Sequence, residues 1–336
     1  MKNRFEVILV QLRNNDQSVK ELNLSGHCIK AADAKDLSEA LKKNTSLIKL
    51  NFKHNDITDI GVRHLSTALK INTNLIELNL AYNEITDIGV KHLSTALKIN
   101  TNLIKLNLAH NDTTDIGVNR LSTALKSNTS LINLNLGSNN ISDAGVKNLS
   151  AALQSNTSLI NLNLSFNDIS DIGIKDLSTA LKSNTSLTKL NLSHNTIGAK
   201  GISYLANALQ SNYTLLALEG ADNDEIKNLL ARNKQIASCL PQGLTHQDRI
   251  ALLTKLKPLL PSYQLPEDRY RAKVKRLLTD LSNQASLKKE TYPAQPSVSH
   301  SLSQPATHYF SFFKSSFGNQ NQTSSTLTAN IIPEFR

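Results

Sequence analysis

The sequence predicts an α/β solenoid of stacked repeats, followed by a small helical segment and a polar tail. Three observations predict it. First, an asparagine recurs every 28 residues through most of the 336-residue chain, which is typical of repeat architectures. Second, the apolar period inside each unit changes from two to about 3.6 residues, so each unit is half strand and half helix. Third, the first and last units are degenerate, as expected at the ends of a stacked array.

Residues 1–17 are predicted to cap the N-terminal end of the array. Phe5, Ile8, Leu9 and Leu12 follow the spacing i, i+3, i+4 and i+7, which places them on one face of a helix. This face takes the place of the helical half of a preceding repeat and covers the first exposed core.

Residues 18–236 hold about eight repeats with the pattern Leu-x-x-Leu-x-Leu-x-x-Asn, as in Leu75, Leu78, Leu80 and Asn83. A buried amide must be satisfied, so the final asparagine is predicted to bond backbone groups in the turn after the strand. Repeated in every unit, these bonds form a ladder. The ladder residues are Asn55, Asn83, Asn111, Asn139, Asn167, Asn195 and Asn223.

The helical half of each repeat has signals at both ends. At its start, Thr86 or Asp87 is the N-cap, and the sequence leaves both open. The aspartates that recur at this position are interpreted as partners of the helix dipole. At its end a second recurring asparagine, such as Asn100, is predicted to adopt a left-handed conformation.

These residues resemble leucine-rich repeat proteins, specifically the 28-residue subtype of the ribonuclease inhibitor family. The resemblance covers roughly residues 18–236. It implies a right-handed horseshoe with parallel strands on the concave face and helices on the convex face. It also assigns the ladder role to the seven asparagines.

Positions between the leucines are predicted to form columns on the concave face. The first column mixes charges of both signs. The second is a run of asparagines, which is either a partner-facing stripe or an amide ladder within the sheet, and we favour the ladder. The fourth carries rings near the rim, either as interface anchors or as solvated variants of a permissive loop. The predicted partner contacts are Lys49, His54, Glu77, Tyr82, Lys105, His110, Phe166, Lys189 and His194.

The sequence offers little for catalysis. It has no glycine-rich phosphate loop, nucleophile elbow or clustered Cys/His site, and His54 and His110 lie two repeats apart, too far to share a metal. Cys28 and Cys239 form no spacing pattern, which favours a reducing compartment. We therefore predict a non-enzymatic monomer without catalytic residues, metal, cofactor or small-molecule substrate, whose partner is another protein.

The positive charge is concentrated in the last third of the chain. Residues 1–232 hold 24 Lys/Arg and 21 Asp/Glu, whereas residues 233–336 hold 13 and 6. The high pI is therefore no sign that the repeats bind nucleic acid.

Residues 237–288 are predicted to form a basic helical segment, with one helix ending near Pro258 and another beginning at Pro266 or Glu267. The second helix either packs on the end of the solenoid or contacts an anionic membrane or acidic partner. Residues 289–336 are predicted to be a disordered low-complexity tail. Within it, residues 309–317 hold four of the eight phenylalanines, as a docking motif, a membrane contact or a segment that folds back.

The chain lacks the run of ~20 apolar residues that a transmembrane helix needs, and no secretory signal is evident. We predict a cytoplasmic protein, or one exported without a signal peptide into a host cytosol. The polar tail resembles the export signals of intracellular bacterial pathogens, whose leucine-rich repeat effectors enter host cells. The predicted function is a protein-binding scaffold; the alternative is a membrane or nucleic-acid tether through the C-terminal region.

Overall fold

The computed structural model describes residues 2–256, residue 259 and residues 272–281. The tail predicted at residues 289–336, with its Phe-rich stretch, lies outside the described residues. So does the predicted start of the second basic helix.

Strands and helices alternate along the array, one of each in every repeat. The strands are β1 (Glu21–Asn23), β2 (Lys49–Asn51), β3 (Glu77–Asn79), β4 (Lys105–Asn107), β5 (Asn133–Asn135), β6 (Asn161–Asn163), β7 (Lys189–Asn191) and β8 (Ala217–Glu219). The helices are α1 (Lys2–Arg13), α2 (Ala31–Leu41), α3 (Thr58–Leu69), α4 (Asp87–Leu97), α5 (Asp115–Leu125), α6 (Asp143–Leu153), α7 (Asp171–Ser183), α8 (Ala199–Ser211), α9 (Asp224–Cys239) and α10 (His246–Leu256).

The strands form one open parallel sheet in the order β1 to β8. Equivalent residues of consecutive repeats pair directly, as Glu77 does with Lys105, so each repeat is displaced from the next by one strand. The predicted fold class, a leucine-rich repeat solenoid followed by helices, is confirmed.

The core runs without interruption between the sheet and the helices. In the third repeat Leu78 of the strand and Leu80 just after it share the core with Val90, Leu93 and Leu97 of the helix, and all five are almost fully buried. A three-residue strand is too short to be stable alone, so each repeat depends on its neighbours for burial.

The asparagine after each strand bonds across two repeats. The Nδ2 of Asn111 donates to the carbonyls of Leu80 (3.0 Å) and Leu108 (3.0 Å), and its Oδ1 accepts from the Ile85 amide (3.0 Å). Asn223 is an exception to the predicted ladder. Its Oδ1 accepts from the Ile226 amide (3.2 Å) as the N-cap of α9, because the chain enters a helix at this point.

The recurring asparagines at the ends of the helices also differ from the prediction. Asn184 and Asn212 are extended, with φ −66° and −95°, and do not adopt the predicted left-handed conformation. Both side chains are buried. Asn184 donates to the Leu153 carbonyl of the preceding repeat (2.7 Å) and accepts from the Leu187 amide (2.8 Å). This second buried ladder comprises Asn44, Asn72, Asn100, Asn128, Asn156, Asn184 and Asn212.

The structure decides which residue caps the helices. The Thr86 hydroxyl accepts from the Ile88 amide and is the N-cap of α4. The aspartate of the preceding repeat, Asp59, accepts from the Thr86 amide (2.9 Å), the Thr86 hydroxyl (2.6 Å) and the Gly89 amide (2.9 Å). The aspartates therefore staple one repeat to the next and do not cap their own helices. They are Asp59, Asp87, Asp115, Asp143 and Asp171.

Helices close both ends of the array. Leu9 and Leu12 of α1 are buried against the first repeat. At the other end α9 runs to Cys239, so the boundary predicted at residue 236 falls inside a helix.

Beyond α9 a second apolar cluster joins the C-terminal segment to the array. It contains Tyr213 of the last repeat, Ile236 of α9, Leu252 of α10, and Val274 and Leu278. The last two belong to the helical residues 272–281, so this part of the segment packs against the solenoid.

Candidate functional site

The outer surface of the sheet carries the predicted columns in register. The first column forms ion pairs between neighbouring strands, Glu21 with Lys49 (2.6 Å) and Glu77 with Lys105 (2.7 Å). The hydrogen bond that the Lys49 ammonium donates to the Glu21 carboxylate raises the pKa of Lys49. These four side chains satisfy each other, so a partner would have to compete with existing pairs.

The asparagine column bonds mainly to the backbone of its own strand ends. Each Oδ1 accepts from the backbone amide two residues later, as Asn107 does from Ala109 (3.0 Å), which fixes the strand end. At the two ends of the sheet the Nδ2 is also used, from Asn51 to Asn23 and from Asn191 to Glu219. Within the described residues, no such partner of the Nδ2 is found in the middle of the column, at Asn79, Asn107, Asn135 and Asn163.

The fourth column, which we call the ring column, is a stack of rings. The rings of His54, Tyr82 and His110 lie face to face with 3.9 Å between successive centroids. Phe166 and His194 form a second stack with the same spacing. Ser138 separates the two stacks. The structure thus brings together five of the predicted contact residues in two groups.

The residues of the ring column have a left-handed backbone conformation. His54, Tyr82, His110, Ser138, Phe166 and His194 all have φ between 52° and 57°, a left-handed conformation that costs roughly 1–2 kcal/mol for a residue with a side chain. Backbone hydrogen bonds between repeats hold it, for example from the Tyr82 amide to the Ala109 carbonyl (3.0 Å). The same backbone in consecutive repeats gives the rings the same direction, which is why they stack.

The rings are accessible to solvent. Phe166 is 53% exposed and His54, His110 and His194 are exposed as well, whereas Tyr82, between two other rings, is half-buried. The Nζ of Lys53 lies 5.3 Å from the centre of the Tyr82 ring, within the range of a cation–π contact. Partial burial, together with Lys53 and His54, lowers the pKa of His110, which favours its neutral ring near pH 7.

A carboxylate follows most rings two residues later in the chain. Asp56, Glu84, Asp112 and Asp168, which we call the loop acids, are all exposed. Among the described residues none of them takes part in an ion pair. They lie where the strands lead into the helices, so this edge of the sheet is both aromatic and acidic.

Two rows of isoleucine were not predicted as surface features. Ile48, Ile76 and Ile104 border a shallow groove of about 460 Å³ at the edge where the strands begin. Ile88 is 61% exposed in the first turn of its helix. The second row, at the start of the helices, is Ile60, Ile88, Ile116 and Ile172. The 28-residue spacing of both rows was visible in the sequence, but these isoleucines lie outside the columns predicted for the concave face.

Lys189 lies outside the ring column, in the first column between Asn161 and Ala217.

Over residues 2–256, 259 and 272–281, no three His, Cys, Asp or Glu side chains lie close enough together to form a metal site. None of the helices in these ranges combines the length and apolar character needed to span a bilayer.

Comparison with known proteins gives the repeat type. The family model described as "Leucine Rich repeat" matches residues 43–66, 72–94, 127–150, 155–178 and 183–206. The chain therefore contains leucine-rich repeats. The ribonuclease-inhibitor subtype and the bacterial source stay predictions. No curated protein matches the sequence.

Two solved structures are found to be similar to this chain. "Leiomodin-1 Actin-Binding Site 2 (ABS2)" is 18% identical, with 75% of this chain and 96% of that chain covered and a TM-score of 0.28. The tropomodulin C-terminal domain of Caenorhabditis elegans is 13% identical, with 70% and 95% covered and a TM-score of 0.32. These values are too low to transfer either protein's binding partner to this chain.

Proposed function

We propose that this leucine-rich repeat chain is a non-enzymatic scaffold that binds another protein through the sheet face and the ring column. The observation that carries the proposal is the pair of exposed ring stacks. Aromatic side chains held rigidly on a sheet lose little conformational freedom on binding, and such rings are frequent anchors of protein interfaces. The proposed contacts are Lys49, His54, Glu77, Tyr82, Lys105, His110, Phe166, Lys189 and His194.

The setting we propose is the cytosol of a eukaryotic host cell, reached as an exported effector. Its support is the composition of residues 289–336 and their resemblance to export signals. The binding proposal does not depend on this setting.

Affinity capture from a eukaryotic cell lysate tests the binding proposal with the full chain. The variant Tyr82→Ser/Phe166→Ser removes one ring from each stack, and serine is a matched replacement because Ser138 occupies the same position with φ 52°. The control Lys91→Ala/Lys147→Ala changes two exposed residues on the helices. We expect the ring variant to lose the partner and the control to keep it. Equal capture by both variants would contradict the proposal.

The competing hypothesis is a membrane or nucleic-acid tether in the C-terminal segment. Val274 and Leu278 are buried in the second cluster, so this apolar face is not available to a bilayer. Lys275 and Arg276 are exposed and could still contact phosphates. Sedimentation with anionic vesicles and a nucleic-acid gel shift, each with the full chain and with Lys275→Ala/Arg276→Ala, distinguish this hypothesis from protein binding.

A further inference from the structure

We propose that the groove beside Ile48, Ile76 and Ile104 binds a segment of a partner protein that carries both carboxylates and aliphatic side chains. The inference goes beyond the proposed function, because it concerns a different edge of the sheet. The groove lies where the strands begin, whereas the residues of the ring column follow the strand ends. The two surfaces are therefore tested separately.

The groove offers an apolar surface to a ligand. Its volume is about 460 Å³, and the three isoleucines, each the residue before a strand, are only half-buried. The Ile104 amide donates to the Ile76 carbonyl (2.8 Å), so successive isoleucines are held side by side. They form a continuous aliphatic strip, which is removed from water when an aliphatic side chain of a ligand packs on it.

Hydrogen bonds between repeats fix the loops that line the groove. The Nδ2 of Asn100 donates to the Asn72 carbonyl (3.1 Å), and the Nδ2 of Asn74 donates to the Thr45 carbonyl (2.5 Å). Asn102 is half-buried in the groove lining, and within the described residues its Nδ2 has no acceptor. A rigid wall with an unused amide donor suits a polypeptide, because a main-chain carbonyl of the ligand can accept from it.

The edge of the array at the groove is strongly basic. The segments that join the end of one helix to the first residue of the next strand hold nine lysines and one carboxylate, Glu77. Residues 1–232 as a whole are nearly balanced in charge. This edge therefore attracts an acidic ligand and repels a basic one. The segments are residues 42–49, 70–77, 98–105, 126–133, 154–161 and 182–189.

Three of these lysines are unpaired. Lys70, Lys98 and Lys126 are exposed C-caps of their helices, and among the described residues none of them takes part in an ion pair. Lys70 is three positions before Thr73, which lines the groove, so the two Cα atoms lie within about 11 Å. Lys98 has the same spacing from Thr101. Carboxylates of a bound segment can pair with these ammonium groups at the rim of an apolar contact.

The combination of an apolar groove and a basic rim favours a polypeptide over a nucleic acid or a bilayer. A phosphate backbone would leave the isoleucines uncovered, and a bilayer surface is too broad to enter a groove of this volume. In an extended polypeptide successive side chains point to opposite sides. Such a segment can place aliphatic groups against the isoleucines and carboxylates toward the lysines.

The test measures fluorescence anisotropy of short labelled peptides with the full chain. Leu alternates with Glu in the first peptide, Leu with Lys in the second, and Ser with Glu in the third. We expect the Leu–Glu peptide to bind best and the Leu–Lys peptide not to bind. The Ser–Glu peptide should bind more weakly, because it leaves the isoleucines uncovered. Added salt should weaken the Leu–Glu peptide.

The charge variant is Lys70→Gln/Lys98→Gln. Glutamine is a matched replacement, because Gln154 is the C-cap of α6 with the same backbone conformation. The affinity for the Leu–Glu peptide should fall roughly threefold to tenfold. The control Lys147→Gln/Lys175→Gln makes the same change in net charge at exposed positions within the helices and should leave the affinity unchanged.

The apolar variant is Ile76→Thr/Ile104→Thr. Threonine is already present at this position of another repeat, as Thr188, and circular dichroism checks that all variants are folded. The affinity for the Leu–Glu peptide should fall roughly fivefold to tenfold, and the preference for Leu–Glu over Ser–Glu should disappear.

Equal affinity for the Leu–Glu and Leu–Lys peptides, or unchanged affinity in both the charge and the apolar variant, would overturn the inference. Sedimentation with phosphatidylserine vesicles and a gel shift with a single-stranded oligonucleotide test the other ligand classes. Binding of either one that depends on Lys70 and Lys98, without peptide binding, would also overturn it.

A last control separates this inference from the proposed function. Tyr82→Ser/Phe166→Ser should bind the Leu–Glu peptide as the native chain does, because the ring column lies at the other edge of the sheet. Loss of the peptide in this variant would assign the ligand to the ring column and contradict the inference. The lysate capture by the same variant tests the proposed function independently.

Discussion

Removing one inter-repeat staple should destabilise the array at a defined place. In the structure the Oδ1 of Asp115 accepts from the Ser142 amide (2.8 Å) and the Gly145 amide (2.9 Å), and its Oδ2 accepts from the Ser142 hydroxyl (2.5 Å). Asp115→Ala leaves two backbone donors and one hydroxyl without this acceptor. Bonds to a charged group contribute about 1.5–3 kcal/mol each when buried. Because Asp115 is only half-buried, we expect the free energy of unfolding to fall by about 2–4 kcal/mol in total.

Urea unfolding measures the loss, and hydrogen exchange locates it. The amides of Ser142 and Gly145 should lose protection in Asp115→Ala, while the equivalent amides of other repeats should change less. Asp115→Asn keeps one acceptor and should cost about 1 kcal/mol. The matched control is Asp112→Ala, which removes an exposed loop acid three residues earlier and should cost less than about 0.5 kcal/mol. Equal stability of Asp115→Ala and Asp112→Ala, or unchanged exchange at Ser142 and Gly145, would refute the reasoning.

Three further predictions follow from buried and titrating groups. Thr113 is fully buried and its hydroxyl has no hydrogen-bond partner in the described residues, so Thr113→Val should raise the free energy of unfolding by about 1–2 kcal/mol in urea; a loss would contradict this. Asn128→Ala removes two bonds donated to backbone carbonyls and two accepted from backbone amides, and should lower the free energy of unfolding by about 3 kcal/mol, with unchanged stability as the contrary result. The pKa of His110 lies below its ordinary 6.5, so its contribution to stability is present above pH 6.5 and is lost as the pH falls through the folded pKa. An NMR titration should show this lowered midpoint and its rise in Lys53→Ala, and an unchanged midpoint in that variant would contradict the role of Lys53.

The sequence could predict much of the sheet face but little of its chemistry. The 28-residue repeat placed Tyr82 and His110 in one column, because equivalent residues of consecutive repeats lie side by side. It did not show that these rings stack, since stacking depends on a left-handed backbone held by the next repeat. It predicted Glu77 and Lys105 as partner contacts but did not show that the parallel register places them side by side as an ion pair.

The sequence by itself determined the repeat length, the alternation of strand and helix, and the helices that close the array, because apolar periodicity and the recurring asparagines are local patterns. Only the tertiary structure decided how polar groups are satisfied between repeats. Asp59 could have capped its own helix or stapled the next, and Asn184 could have ended a helix in a left-handed turn or entered the core. The choice depends on donors that belong to a neighbouring repeat, about 28 residues away in sequence and one strand spacing of about 4.8 Å away in space.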